Sequence, residues 1–154
     1  MDKMASEAVR LTNFHQMPMC TASRAALMTG KYAEQTGAWR TSLGRTLMRA
    51  DNFTIAEAFK ANGYETGHFG KWHLGSVREG SPVSPGTSGF DSWLSAPNYY
   101  DNDPILSRNG KAVQTAGESS IVAADAAIEF IRESVAREVP FLAVVWFGSP
   151  HGPH

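Results

Sequence analysis

One stretch, FLAVVWF from Phe141 to Phe147, has no polar face. A strand that is apolar on both sides must be covered on both sides, which a parallel sheet held between helical layers provides. Just before it, Ile121, Ala124, Ile128, Ile131 and Val135 recur at helical spacing over a polar opposite face, from Ser120 until Pro140 breaks the pattern. The apolar strand is far too short to span a bilayer. A second helix–strand pair lies upstream. Thr54 with Glu57 forms a capping box, Ile55, Ala58 and Phe59 share one helical face, and Gly63 is placed to end the helix. Tyr64 to Phe69 then reads as a strand. Helices alternating with buried strands predict an α/β fold whose mostly parallel sheet is covered on both faces.

Other segments are weaker in pattern. Val9 to Phe14 alternates apolar and polar residues, which predicts a short strand. A small-residue helix is expected from about Ser23 to Thr29, stopped by Gly30. Glycines and prolines scattered from Gly75 to Gly117 predict a long irregular loop, and its Trp93, Tyr99 and Tyr100 offer aromatic faces to a sugar or aryl group or pack within the loop.

The 154 residues are enough for one domain with a sizeable core. A net charge of −1 gives no basis for a nucleic-acid or acidic-membrane partner. A single cysteine excludes an internal disulfide and a cysteine-only metal site. The N-terminal MDKMASEAVR lacks the apolar core of a secretion signal. At the other end an apolar strand runs into a histidine-rich turn and stops at His154, so the chain is expected to be a piece of a larger protein.

In open α/β sheets, ligands gather at the carboxyl ends of strands. Three polar turns would meet there: the helix opened by Cys20, the GKWHLG turn, and the SPHGPH turn. Arg24 lies one helical turn beyond Cys20 and carries a fork suited to two oxygens of a tetrahedral oxyanion. The spacing is too short for a cysteine-dependent phosphatase loop. A small buried cysteine beside a surface arginine is the alternative. Lys71 and His73 flank Trp72, a cation beside a proton carrier, although the same turn could serve only to plug the core with the indole. His151 and His154 are a short pair of potential metal ligands without a third. His15 and His68 read as ordinary polar positions. Asp101 and Asp103 read as a solvated turn. The Asn52 sequon is discounted because Thr54 caps a helix.

Taken together, CTASRAALMTGKY, GYETGHFGKWHLG and PFLAVVWFGSPHGPH resemble the sulfatase family in order and spacing. The first is similar to its Cys-x-Pro/Ala-Ser-Arg signature, with Ala22 in the proline slot. The second is similar to its Gly-Lys-Trp-His-Leu-Gly block. The resemblance is weakest from Gly75 to Gly117. It implies an alkaline-phosphatase-like fold, three-layer α/β/α with a largely parallel mixed sheet, here incomplete. Residues 1–154 would be a partial catalytic domain lacking the first metal-binding strand and the C-terminal portion.

The resemblance also implies a chemistry. A maturation enzyme, of the formylglycine-generating or radical type, would oxidise Cys20 to formylglycine, whose hydrate attacks sulfur and later expels sulfate. Arg24 would orient that group, Lys71 and His151 would bind sulfate oxygens, and His73 would hold the diol or assist its deprotonation. The formylglycine would also face a divalent cation, calcium in most of the family, whose carboxylate ligands are missing from this chain. The substrate would be a sulfated small molecule or polysaccharide, in an enzyme commonly exported. By that count the 154 residues alone are expected to be inactive. The alternatives are a phosphonate or phosphate ester hydrolase of the same superfamily, and a truncated non-catalytic product.

Overall fold

The computed structural model describes residues 2–98, 102–149 and 151. Along the chain run helix α1 (Asp2–Glu7), α2 (Cys20–Thr29), α3 (Ala33–Thr36), α4 (Ile55–Ala61), strand β1 (Glu65–Lys71), a 3-10 turn (Gly86–Ser88), β2 (Ser92–Ala96), β3 (Ile105–Arg108), β4 (Lys111–Gln114), α5 (Ser119–Ala136) and β5 (Phe141–Trp146). The five strands form one mixed sheet in the order β4-β3-β2-β1-β5. β1 pairs in parallel with both β2 and β5, while β2, β3 and β4 form an antiparallel meander. Helices cover both faces. Met28, Trp72, Leu74 and Phe90 pack on the α2 and α4 side, and Phe69, Leu94, Leu106 and Phe130 pack under α5. The expected three-layer α/β/α architecture is present.

Several local expectations hold for clear reasons. Thr54 Oγ1 accepts from the Glu57 N–H while the Glu57 carboxylate accepts from the Thr54 N–H, closing the capping box at the start of α4. Gly30 ends α2 in the left-handed region at φ 67, which its missing Cβ permits. β5 coincides with the apolar stretch, and among the described residues it occupies a sheet edge, paired only with β1.

Others are corrected. Val9 to Phe14 is not a strand: it pairs with no strand of the sheet, and Val9, Leu11 and Phe14 stand in solvent. Alternation alone cannot hold a strand without an edge to join. The expected loop from Gly75 to Gly117 contains three strands. Asn109 and Gly110, at φ 50 and 95, make the tight β3–β4 turn that an Asn-Gly pair favours. α5 is rotated from its expected face. Its buried residues are Ser119, Ala123, Ala126, Ala127, Phe130 and Ser134, while Ile121, Ile128 and Val135 are exposed. Small side chains let the helix approach the sheet closely, with Phe130 filling the remaining gap against Phe69 and Phe141. In α4 likewise the buried residue is Ala56, and Ile55 faces outward.

Candidate active site

Because β1 and β5 run in parallel, their carboxyl ends lie side by side, and α2 presents its amino end to the same place. α2 begins at Cys20 rather than near Ser23, so the thiol sits in its first turn. Met19 before it is extended and has no capping side chain; Ser23 Oγ instead donates to the Met17 carbonyl. The first N–H groups of α2 thus lack a side-chain cap, which favours negative charge at that end. Thr21, Ala22 and Ala25 are buried, and their small size lets α2 lie close beneath.

From β1, the chain turns sharply after Lys71. Gly70 (φ 103) and His73 (φ 54) both lie in the left-handed region. For a histidine this is an uncommon conformation, held here by the buried Trp72 and Leu74 on either side. Trp72 donates from its indole nitrogen to the Val83 carbonyl at 2.9 Å and is fully buried, so it does plug the core. The same turn also delivers its two polar neighbours. His73 Nδ1 lies 3.2 Å from Cys20 Sγ, and Lys71 Nζ lies 3.7 Å from it.

Arg24 points across the strand ends instead of along its helix. One guanidinium nitrogen donates to the Lys71 carbonyl at 2.8 Å, and the group stacks 4.5 Å from the centre of the Trp146 ring. Trp146 was not foreseen as part of the site. Its signal was an aromatic at the last position of a strand whose end borders the histidine turn. A groove lined by Met17, Pro18, Cys20, Arg24 and Trp146 leaves the thiol accessible.

Burial and the neighbouring cations set the charge states. Lys71 is buried, and desolvation lowers its pKa, with Cys20 pulling the other way and Arg24 adding to the lowering. His73 is pushed down to about 4 by burial first and then by the positive charges of Lys71, Arg24 and His151. It is therefore neutral near pH 7, able to accept a proton. His151 is exposed and lies close enough to His73 to act on it electrostatically. His68, read as an ordinary polar position, is fully buried. Its ring meets Trp72, Phe90 and Trp146 edge-on, Nδ1 lies 2.7 Å from Ser95 Oγ, and burial lowers its pKa to about 3.

The structure thus brings together Cys20, Arg24, Lys71, His73 and His151. His154, Tyr99, Tyr100 and Asp101 lie outside the described residues. Asp103 is exposed and accepts from the Gly117 N–H, a turn contact consistent with the solvated-turn reading. Trp93 is half-buried and lies against Gly86 within its own loop. Among the described residues no three His, Cys, Asp or Glu side chains gather as a metal set. The groups around Cys20 are cationic donors, which do not fit calcium, an ion that takes oxygen ligands. No described helix is long and apolar enough to cross a membrane.

Comparison with known proteins places this geometry in a family. The chain matches the family model described as Sulfatase over residues 1–154. It is 36% identical over 159 residues to an ulvan-active sulfatase of Formosa agariphila, covering 100% of this chain and 30% of that protein. Arylsulfatase A of Homo sapiens is 37% identical over 108 residues, 68% of this chain and 21% of that one. Among solved structures, a sulfatase from Pseudoalteromonas sp. superposes with a TM-score of 0.81 at 26% identity, covering 99% of this chain and 38% of that chain. A further solved structure, of a protein in complex with its substrate D-glucosamine-2-N,6-O-disulfate, gives 0.79 at 29% identity over 97% and 29% of the two chains. This chain spans about a third of the length of the curated relatives it matches. A family match along every residue, on the same fold, leaves one assignment: the chain belongs to the sulfatase family.

Proposed function

We propose that the protein carrying this chain hydrolyses sulfate esters, with Cys20 as precursor of the nucleophile. The observation that carries the reading is the convergence on one sulfur atom of an ammonium at 3.7 Å and a neutral imidazole at 3.2 Å. Oxidised to formylglycine by a maturation enzyme, Cys20 would supply a hydrated aldehyde: one hydroxyl would attack sulfur and displace the alcohol, and loss of the other hydroxyl's proton would then expel sulfate and restore the aldehyde.

This chain's own residues then divide the work. Lys71 places a buried positive charge where sulfate oxygens would gather, and burial strengthens its hold on them. Arg24, fixed by the Lys71 carbonyl and the Trp146 ring, adds a second cation that cannot swing away. His73 is neutral and next to the reacting atom, so it suits removal of a hydroxyl proton. His151, on the turn after β5 and near His73, would add a further donor. A divalent cation would need carboxylates from outside the described residues, and no step is assigned to it. The substrate class favoured is sulfated carbohydrate, since one relative is named for ulvan and a protein of similar fold was solved with a disulfated glucosamine as its substrate.

The test is a paired assay on the full-length, matured protein with an aryl sulfate and the matching aryl phosphate. Sulfate turnover that vanishes in Cys20→Ala is expected. Preference for the phosphate ester would support the phosphorus-directed alternative instead.

A further inference from the structure

A second cationic cluster, on the loop that follows α3, has not entered the mechanism. Residues 37–50 contain three arginines and no acidic residue. Arg49 pairs with Asp51, but Arg40 and Arg45 meet no carboxylate among the described residues. Both instead lie over one indole. The Arg45 guanidinium carbon is 4.9 Å and that of Arg40 5.6 Å from the centre of the Trp39 ring. The backbone holds them together, because the N–H groups of Trp39 and Arg40 both donate to the Arg45 carbonyl and a turn at Ser42–Arg45 closes the tip. Leu43 at φ 58 is bent into the left-handed region to make that tip. The loop is also tied to the site. Met48 at its base donates to the carbonyl of Leu74, the residue after His73.

Two like charges fixed on one aromatic ring repel each other, and an anion bound by both forks would relieve that repulsion. Each guanidinium, already stacked, loses little freedom on binding one. We propose that Trp39, Arg40 and Arg45 form an anion-recognising rim that takes a second sulfate or carboxylate of a saccharide whose reacting ester lies at Cys20. This rests on the sulfate-ester reading of the site and adds to it a substrate class, the multiply charged saccharide.

The experiment is a calorimetric titration of a heparin-derived octasaccharide, as a polyanionic saccharide probe, into full-length Cys20→Ala protein. It needs no turnover, so failure of the rim and failure of the hydrolytic reading are told apart by the separate aryl sulfate assay of the unsubstituted protein. Adding Arg40→Ala and Arg45→Ala is expected to weaken the Kd by about tenfold or more and to reduce its salt dependence. The Arg40→Lys/Arg45→Lys pair should recover part of the loss, since charge returns without the fork. Arg132→Ala, an exposed arginine on α5, should leave the Kd unchanged. A double alanine variant within twofold of its parent, an equal loss from Arg132→Ala, or no measurable binding by the parent would each overturn the proposal.

Discussion

The two faces of the sheet are built to different rules. Beneath α5 the large buried side chains are apolar, with Phe69, Leu94, Leu106 and Phe130 at the centre, and the buried polar groups of the helix are the small serines Ser119 and Ser134. Beneath α2 and α4 the cluster of Trp72, Leu74 and Phe90 is shared with buried ionisable groups: His68 is 0% exposed, and at the strand end Lys71 is 2% and His73 6% exposed. Burying such groups costs stability unless their partners are in place. One face therefore supplies stability, and the other gives some of it up to hold charge and proton acceptors in fixed positions. That asymmetry is what the proposed reaction site requires of its supporting face.

The comparison can be broken by matched truncations. Phe130→Ala and Trp72→Ala each remove a large buried ring and should each cost about 3–5 kcal/mol in urea unfolding of the full-length protein. Phe130→Ala should keep its activity per folded molecule. Trp72→Ala should lose activity as well, because Lys71 and His73 hang from the same turn. Equal retention of activity in both would erase the distinction between the faces.

Lys71→Ala sharpens the comparison from the other side. By analogy with the loss of one preorganised oxyanion donor, it should slow turnover by about 10²–10³-fold. Its melting temperature should hold or rise, since the desolvation cost of burying an ammonium is removed. An intact rate with a lowered melting temperature would make the turn structural and remove Lys71 from the site.

A smaller effect concerns acid. In the folded protein His73 is held down to about 4 and His68 to about 3, against 6.5 unfolded. Between those values the unfolded chain binds protons that the folded chain refuses. Stability present above pH 6.5 is thus lost as pH falls, by at most about 1.4 kcal/mol per pH unit for each histidine. Urea midpoints measured from pH 7 downward should show this slope, and His68→Leu should flatten it. A flat wild-type profile would mean that neither imidazole is kept neutral by its surroundings.

How much of this was legible from the residues depended on how local the signal was. The Thr54–Glu57 box, the Gly30 stop and β5 each rest on neighbours in sequence, and each is found where expected. The grouping of Cys20, Arg24, Lys71 and His73 was legible because three motif-bearing turns had to share one sheet edge. What failed depended on distant partners. The face of α5 was misread because hydrophobicity ranks Ile128 above Ala127, whereas close approach to a sheet favours the alanine. β3 and β4 hid among glycines and prolines, although Arg108-Asn109-Gly110-Lys111 between Leu106 and Val113 was a readable hairpin signal. The buried role of His68 had no sequence signal, since its cage comes from the turn after β1, from β5 and from the loop before β2.

The central claim is that Cys20 is not the final nucleophile but its precursor. The direct measurement is peptide mass spectrometry of the full-length protein, prepared with a maturation enzyme and active on an aryl sulfate. The account predicts a Cys20 peptide lighter by about 18 Da, sulfur having been exchanged for oxygen with loss of two hydrogens. An active preparation whose Cys20 peptide carries only the unmodified thiol would contradict it.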